Sequence, residues 1–268
     1  MTGDPQGSAA SEPLVRQPAA PFSLAGSVAV VTGGTRGLGA GIARSLLDAG
    51  ADVVVLARSG PGADLTEHAA ARGRELRFVP VDLADLASVE AAAAQVLADG
   101  DVDILVNNAG TQDRHAAVDF PIDAWDAVLQ VNLRAVFRLC QLFGRPMLDR
   151  GRGKVVNVAS LLSFQGGITV PAYAASKGAV AQLTKALCNE WAGQGVNVNA
   201  VAPGYMDTEM NEALLRDPVR SQQISARIPA GRWGTAEDVG GAVVFLASAA
   251  AAYVHGQVLA VDGGWLAR

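Results

Sequence analysis

Two side chains near the middle of the chain could act together as an acid–base pair. Tyr173 and Lys177 lie four residues apart in a segment of helical composition, so they share one helix face with Cβ atoms roughly 5–6 Å apart. A free phenol has a pKa of about 10, and a neighbouring ammonium group stabilises the phenolate and lowers that pKa. The pair predicts a general base toward an alcohol or a general acid toward a ketone, although the same spacing also occurs by chance on helix surfaces.

Two further polar residues favour the catalytic interpretation. Ser160 follows the predicted strand at residues 154–158, at the carboxyl end where parallel sheets bind ligands. Asn132 lies in a long apolar segment predicted to be one helix over residues 124–148, where an amide needs a hydrogen-bonding partner. Two interpretations of Asn132 stay open: a structural amide satisfied by its neighbours, or a member of the site.

A glycine-rich turn earlier in the chain predicts a phosphate-binding site. The segment Thr32–Gly39 joins a short apolar strand to a helix and has the spacing G-x-x-x-G-x-G. The backbone N–H groups of such a turn and the N-terminus of the following helix favour a pyrophosphate. The spacing differs from the G-x-G-x-x-G of many dinucleotide sites, but its place between the first strand and the first helix is the same.

The end of the second predicted strand bears on which nucleotide binds. Sites for NAD commonly place a carboxylate about 20 residues after the glycines, where it binds the ribose 2′-hydroxyl. This chain instead has Arg58 there, and Arg36 lies within the glycine turn. Two guanidinium groups suit a 2′-phosphate, so the sequence favours NADP over NAD and leaves both open.

The elements that must position these residues alternate along the chain. Short, wholly apolar segments alternate with helical ones, which is typical of parallel strands covered on both faces by helices. We predict an α/β, doubly wound Rossmann-type single domain over residues 23–268, with a seven-stranded parallel sheet. Residues 1–22, rich in Pro, Gly, Ser and Ala, are predicted to be a flexible tail. The predicted strands lie at residues 28–31, 53–57, 76–81, 104–106, 154–158, 196–201 and 258–261, and the predicted helices at residues 38–49, 63–72, 85–97, 124–148, 172–192 and 237–247, with residues 208–226 partly helical.

The composition argues against several other classes of protein. The 268 residues are 50% hydrophobic with a formal net charge of −5, without a basic block for nucleic acid or an apolar run of the roughly 20 residues that a membrane span needs. Cys140 and Cys188 are too few for a disulfide framework and lie at no metal-ligand spacing. The N-terminus has no secretory pattern. We expect a cytoplasmic protein with a small-molecule substrate and no nucleic acid, membrane or metal partner.

With these residues in place, the chain resembles the short-chain dehydrogenase/reductase family over most of the predicted domain. The matching pieces, in order, are the turn Thr32–Gly39, Asp82-Leu83, Asn107-Asn108-Ala109-Gly110, Asn132, Ser160, Tyr173 with Lys177, and Pro203-Gly204. The resemblance implies hydride transfer between a nicotinamide and a C–OH or C=O carbon. It also implies a homotetramer.

The resemblance further implies a role for each catalytic residue. Tyr173 donates or accepts the proton, Lys177 lowers its pKa and holds the nicotinamide ribose, Ser160 orients the substrate oxygen, and Asn132 holds a water in a proton relay. Residues expected to contact the nucleotide, from the turn, the strand ends and the resemblance together, are Gly33, Thr35, Arg36, Gly37, Leu38, Gly39, Arg58, Asp82, Leu83, Asn108, Ala109, Gly110, Tyr173, Lys177, Pro203, Gly204, Met206 and Thr208.

A narrower resemblance is to the 2-dehydro-3-deoxy-D-gluconate 5-dehydrogenases of that family, also called 2-deoxy-D-gluconate 3-dehydrogenases. It rests on residues 159–167, 202–206, 227–234 and 261–268 and implies a hydroxy or keto sugar acid as substrate. Because arginine suits a carboxylate, we predict that Arg114 binds the carboxylate and Gln165 a hydroxyl. Arg36 and Arg58 depart from what an NAD-preferring member is expected to carry.

Two other functions stay open at this point. The same chemistry on a 3-oxoacyl thioester of acyl carrier protein favours a basic patch beside the cleft, and the net charge of −5 argues weakly against one. A non-catalytic dinucleotide-sensing regulator can share the fold, but a sensor has no need for an acid–base pair.

Overall fold

Seven strands and nine helices make up residues 20–268, the part of the chain that the computed structural model describes. The strands are β1 (Val28–Thr32), β2 (Asp52–Ala57), β3 (Leu76–Pro80), β4 (Ile104–Asn107), β5 (Gly153–Val158), β6 (Val196–Pro203) and β7 (Val258–Val261). The helices are α1 (Gly37–Asp48), α2 (Ala63–Ala71), α3 (Leu86–Ala98), α4 (Ile122–Leu129), α5 (Ala135–Arg150), α6 (Pro171–Trp191), α7 (Glu212–Arg216), α8 (Pro218–Arg227) and α9 (Ala236–Ala247).

The strands form one parallel sheet in the order β3-β2-β1-β4-β5-β6-β7. This confirms the predicted doubly wound, seven-stranded fold. The chain runs outward from β1 toward β3, then returns to place β4 on the other side of β1. The loops after β1 and β4 therefore diverge to opposite sides of the sheet, and the crevice between them is where such folds bind ligands.

Each face of the sheet is covered by an apolar layer. Ala29 and Val31 of β1 pack with α1 and α9 on one face, where Ile42 is fully buried. Val30 points the other way and packs with α3, α5 and α6, where Phe143 is fully buried. Complete burial of a side chain of this size contributes about 1.5–3 kcal/mol. Burial on both faces is the reason that β1 and β2 are almost wholly apolar rather than alternating.

The segment predicted as one helix over residues 124–148 is interrupted at Asn132. A π turn, Gln130–Arg134, joins α4 to α5 and contains the buried Asn132 side chain. The side chain of Asn132 makes three hydrogen bonds outside the helix, to Thr111 and Ser176. We attribute the interruption to these bonds; such wider turns are frequent at functional sites.

The predicted tail falls mostly outside the described residues. Residues 1–19 are not described, while Pro21 and Phe22 contact the domain: the carbonyl of Pro21 accepts a hydrogen bond of 2.8 Å from Ala250 N–H, and the ring of Phe22 lies 6.3 Å from that of Phe245. Contacts of the domain therefore begin slightly before residue 23. Among residues 20–268, every helix is too short or too polar to cross a lipid bilayer.

Candidate active site

The segments after β1 and β4 are fastened to each other at the carboxyl edge of the sheet. Thr32 Oγ1 accepts hydrogen bonds of 3.0 Å from the backbone N–H groups of both Asn108 and Ala109. In return, Asn108 Nδ2 donates to the Thr32 carbonyl at 2.9 Å. The glycine turn and the segment Asn107–Gly110 thus form one unit across the switch in strand order.

Two glycines of the turn are required by this close approach. Gly33 has φ +64°, and a Cβ there would lie 3.2 Å from the Cα of Ala109. A Cβ on Gly39 would overlap the carbonyl oxygen of Gly33. Any larger residue at either position would push β1 away from α1 or from the neighbouring loop.

The N-terminus of α1 fits a phosphate group. Its N-cap residue, Arg36, makes no side-chain capping bond, and the first turn holds no acidic residue. Gly37, with φ +51°, would place a Cβ in open space. The positive end of the helix dipole and its first N–H groups are therefore exposed beside the turn, as a bound pyrophosphate requires.

Helix α6 places Tyr173 and Lys177 one turn apart, as predicted. Lys177 is 3% exposed, and its Nζ lies 5.6 Å from the centroid of the Tyr173 ring. The ammonium donates a hydrogen bond of 2.6 Å to the carbonyl of Val158, at the end of β5. A Cβ built on Gly110 would lie 3.6 Å from that Nζ, so the amine sits between α6 and the loops after β4 and β5.

The pKa of Tyr173 differs from the sequence expectation. Removal of the phenol from water raises its pKa above the ordinary value, and the nearby Ser160 side chain lowers it by less. Burial lowers the pKa of Lys177 to about 8. The net shift of the Tyr173 pKa is therefore opposite to the sequence expectation, because desolvation of the phenol dominates. The role of Lys177 toward the phenolate stays a prediction.

Ser160 begins a short turn that ties the loop after β5 to α6. Its Oγ accepts a hydrogen bond from Leu162 N–H at 3.2 Å, and its own N–H donates to Ser163 Oγ at 3.3 Å. The Ser163 hydroxyl donates to the carbonyl of Lys177 at 2.6 Å. Sequence reasoning missed Ser163, although Ser160 and Ser163 have the three-residue spacing of a capping box.

Asn132 is fully buried, and its amide links the loop after β4 to α6. Its Oδ1 accepts from Thr111 N–H at 2.8 Å, and its Nδ2 donates to the Thr111 carbonyl at 2.8 Å and to Ser176 Oγ at 3.1 Å. Ser176, also missed from the sequence, donates in turn to the Tyr173 carbonyl at 2.8 Å. The amide is thus satisfied by its neighbours, and those neighbours belong to the site.

The two arginines predicted to favour NADP are both exposed. Arg36 Nη1 lies 3.2 Å from Oε2 of Glu209, in the segment after β6. Arg58 follows β2, and its side chain makes no hydrogen bond to any of residues 20–268. The Arg36–Glu209 ion pair connects the glycine turn with the far side of the crevice, and sequence reasoning did not predict it.

The remaining predicted nucleotide residues follow strands at the same edge. Asp82 and Leu83 come after β3, and Leu83 is buried. Gly204 follows β6 and donates to the Val261 carbonyl at 2.9 Å, while Met206 is buried and bridges to Gly234. The other members of the predicted set at this edge are Thr35, Leu38, Pro203 and Thr208.

The two predicted substrate residues lie on loops that touch each other. Arg114 is exposed on the loop after β4, and the next residue, His115, donates a backbone hydrogen bond of 3.0 Å to the carbonyl of Thr169. Thr169 belongs to the loop before α6, which also carries Gln165. Gln165 Oε1 accepts a hydrogen bond of 3.2 Å from the indole of Trp265, a partner that sequence reasoning did not identify.

No group of three or more His, Cys, Asp or Glu side chains within residues 20–268 is placed to hold a metal ion. Both cysteines are free: Cys140 is buried and Cys188 is partly exposed.

Comparison with known proteins relates the chain to reductases and sugar-acid dehydrogenases. Residues 33–266 match the family model described as "Enoyl-(Acyl carrier protein) reductase". The 2-dehydro-3-deoxy-D-gluconate 5-dehydrogenase of Bacillus subtilis is 50% identical over 247 residues, which are 92% of this chain and 97% of that one.

Two solved structures have the same fold and contain NADP. One, from Agrobacterium tumefaciens, is provisionally named a 2-deoxy-D-gluconate 3-dehydrogenase; it is 53% identical, with a TM-score of 0.88 over 92% of this chain and 99% of that one. The other is a gluconate 5-dehydrogenase from Burkholderia cenocepacia in complex with NADP and tartrate; it is 42% identical, with a TM-score of 0.86 over 92% and 98%.

Proposed function

This chain belongs to the short-chain dehydrogenase/reductase family, and from that premise we propose that it transfers a hydride between NAD(P) and the secondary alcohol or ketone of a sugar acid such as 2-dehydro-3-deoxy-D-gluconate. As a member of that family it is an NAD(P)-dependent oxidoreductase acting on CH–OH groups. The observation that carries the proposal is the convergence of Tyr173, Lys177 and Ser160 beside the loop that fastens the glycine turn.

Tyr173 is the proton donor in reduction and the proton acceptor in oxidation. The Ser160 side chain is near enough to the phenol to lower its pKa, so both hydroxyls can contact the same substrate oxygen. Ser160 Oγ accepts from Leu162 N–H, which holds the oxygen in place and leaves its proton to be donated. The nicotinamide, when bound, supplies or accepts the hydride.

Lys177 supports the charge change on Tyr173. A phenol with a raised pKa stays protonated at neutral pH, which suits a donor toward a ketone. In the oxidation direction the phenolate needs a nearby cation, and the anchored Lys177 ammonium is the positive charge of the site. We also assign it to the nicotinamide ribose, as the family resemblance implies.

Asn132 is assigned to the proton relay. Its side chain is engaged with Thr111 and Ser176, so it fixes the geometry around Tyr173 as well. The role of holding a relay water comes from the family resemblance.

The nucleotide would be held along the carboxyl edge of the sheet. The turn Thr32–Gly39 and the N-terminus of α1 fit the pyrophosphate. Asp82 and Leu83 are assigned to the adenine, and the segment from Pro203 to Thr208 to the nicotinamide. We propose NADP over NAD because Arg36 and Arg58 are exposed beside this edge without a carboxylate at the end of β2; the Agrobacterium and Burkholderia structures contain NADP.

Arg114 and Gln165 are assigned to the substrate. Their loops are joined by the backbone bond between His115 and Thr169, so both flank the same side of the crevice. The guanidinium of Arg114 suits a carboxylate, and Gln165 suits a hydroxyl. The Burkholderia enzyme was solved with tartrate, itself a hydroxy acid.

Two other functions receive less support. Relatives that cover nearly the whole chain are named sugar-acid dehydrogenases at 50% identity, whereas acyl carrier protein enters only through the description of the broad family model. Named dehydrogenases among these relatives also favour an enzyme over a non-catalytic sensor.

An assay panel tests the proposal. 2-Dehydro-3-deoxy-D-gluconate and gluconate are assayed as alcohols with oxidised NADP and NAD, and a 3-oxoacyl thioester is assayed as a ketone with the two reduced nucleotides. The reaction is followed at the absorbance of the reduced nicotinamide. We expect the highest kcat/KM for a sugar acid with the NADP pair. A higher kcat/KM for the thioester contradicts the substrate assignment, and a higher value with NAD contradicts the cofactor preference.

We further propose that the enzyme is a homotetramer in the cytoplasm, as the family resemblance implies. Light scattering on the purified protein gives its mass in solution, and fractionation of the source cells gives its location. A monomeric mass, or recovery with the membrane or periplasmic fraction, contradicts the respective half of this proposal.

A further inference from the structure

The indole of Trp265 reaches a residue assigned to the substrate. Its Nε1–H donates a hydrogen bond of 3.2 Å to Oε1 of Gln165, a residue 100 positions earlier in the chain. Trp265 is 4% exposed, whereas Gln165 is partly exposed on the loop that begins at Ser160. The end of the chain therefore contacts the loop that carries the catalytic serine.

The position of the Trp265 ring is set independently of Gln165. The guanidinium of Arg227 lies 3.9 Å from its centroid, and the ring of Tyr205 lies 4.7 Å away, centroid to centroid. Asp262 fixes the backbone, because its carboxylate accepts from the N–H groups on either side of Trp265 at 2.8 and 2.9 Å. A ring held by its backbone and its neighbours determines where the Gln165 amide lies.

The chemistry of the indole decides which end of that amide faces it. An indole N–H only donates, so the atom opposite must be the oxygen; turning the amide over would set N–H against N–H. Nε2 of Gln165 therefore points elsewhere and makes no hydrogen bond to any of residues 20–268. Its two N–H groups stay free to donate to a ligand.

We propose that Trp265 is a positioning residue that presents Gln165 Nε2 as an obligate hydrogen-bond donor to an oxygen of the sugar acid. The inference rests on the proposed function and adds to it the direction of the Gln165 bond and the residue that sets this direction. A hydroxyl, carbonyl or carboxylate oxygen accepts such a bond. A ligand group that can only donate is rejected at this point.

Steady-state kinetics of four variants test the pair. Trp265→Phe keeps a ring but loses the N–H, and we expect the KM for the sugar acid to rise roughly tenfold, with kcat and the KM for NADP within about twofold. Gln165→Leu should have a similar effect. The double variant should have the same KM for the sugar acid as Gln165→Leu alone, because the two substitutions remove the same interaction. Gln165→Glu still accepts from the indole but presents a carboxylate to an anionic substrate, so its KM should be higher still.

Trp233→Phe is the matched control. The Trp233 indole donates to Ser225 Oγ at 3.1 Å, and its ring lies 5.4 Å from that of Tyr205. This variant therefore removes an indole bond from the same aromatic cluster without changing the contact to Gln165, and its KM should stay within about twofold of the wild type. A rise in KM in Trp233→Phe equal to that in Trp265→Phe overturns the inference. It is also overturned if the KM increases of Trp265→Phe and Gln165→Leu multiply in the double variant.

A failure of the proposed function would be distinguishable. A wild-type enzyme that turns over no sugar acid contradicts the proposed function, and the substrate half of the inference falls with it. The pairing itself is then judged by the indole N–H resonance of Trp265 in a nitrogen–proton correlation spectrum. A shift in Gln165→Leu but not in Trp233→Phe supports the pairing, and an unchanged resonance overturns it.

Discussion

Lys177 Nζ donates a hydrogen bond of 2.6 Å to the carbonyl oxygen of Val158, the last residue of β5. This contact holds a lysine amine in the interior, where removal from water lowers its pKa to about 8. The positive charge next to Tyr173 is therefore lost within reach of neutral pH rather than near the ordinary pKa of a lysine.

The activity should follow this titration. We expect kcat/KM for NADPH in ketone reduction to fall as the pH rises through about 8, since this parameter reports ionisations of the free enzyme. In Lys177→Arg the guanidinium keeps its proton to much higher pH. The decrease in kcat/KM should therefore occur at a higher pH, even if the overall rate is lower. The measurement is a pH profile of both proteins, and a wild-type profile that is flat through pH 8 contradicts the expectation.

Stability should depend on the same group. The pKa of Lys177 is about 8 in the folded protein and about 10.4 in an unfolded chain. Between these two pH values the unfolded state binds more protons, so the free energy of unfolding increases as the pH rises. The free energy of unfolding of the wild type relative to Lys177→Met should increase by on the order of 2 kcal/mol across that window. Denaturant titrations near each end measure it; a constant difference between the two proteins speaks against the lowered pKa.

Removing the phenol should separate chemistry from binding. Tyr173→Phe should lower kcat by at least about a hundredfold and leave the Kd for NADP nearly unchanged. Lys177→Ala should both lower kcat and raise the Kd for NADP. Tyr253→Phe serves as control because that side chain is 98% exposed. Turnover by Tyr173→Phe close to the wild-type rate would remove the proton role.

The parts of the fold that the sequence predicts are those with a local signal. Strands β1 and β2 are buried on both faces and are therefore nearly continuous apolar runs. The turn Thr32–Gly39 needs glycine where Gly33 approaches Ala109. The Tyr173–Lys177 spacing follows from helix geometry alone. The interruption of the helix at Asn132 has no such signal, because the apolar pattern continues on both sides of it.

The parts that sequence reasoning missed depend on contacts between distant segments. Arg36 and Glu209 are 173 positions apart, and Gln165 and Trp265 are 100 apart; neither pair follows from spacing. The direction of the Tyr173 pKa also depends on tertiary structure. A phenol beside a lysine suggests a lowered pKa, but the direction of the shift is decided by how far burial removes the phenol from water.

The ion pair between Arg36 and Glu209 should weaken NADP binding. If Arg36 binds the 2′-phosphate, Glu209 competes for the same guanidinium, so Glu209→Gln should lower the KM for NADP about twofold without changing the KM for NAD. Arg36→Ala and Arg58→Ala should each raise the NADP to NAD ratio of KM values, by roughly tenfold for a lost charge-assisted contact. Glu237→Gln, on the exposed start of α9, is the charge-matched control. Equal effects on both nucleotides would argue against a 2′-phosphate role.

Arg114→Ala should discriminate between acidic and neutral substrates. The side chain is exposed on the loop after β4, so its removal leaves the core intact. We expect kcat/KM to fall at least about tenfold for a sugar acid and much less for a neutral ketone or polyol. Arg134→Ala, on the exposed surface of the π turn, controls for loss of charge. Equal losses on the acid and the neutral compound would rule out carboxylate recognition.

Thr169 holds the two substrate loops together in a conformation that its own side chain disfavours. It has φ 65°, the left-handed region, which is rare for a β-branched residue. Its carbonyl still accepts from His115 N–H, and that backbone bond does not need a threonine. Thr169→Asn should therefore raise the free energy of unfolding by about 1 kcal/mol and leave the KM for the sugar acid unchanged. Thr169→Val keeps the branched Cβ and loses the hydroxyl, so it should not raise the free energy of unfolding. Thermal and denaturant unfolding of the three proteins decide the matter, and a Thr169→Asn protein less stable than the wild type would show that the strain is not there.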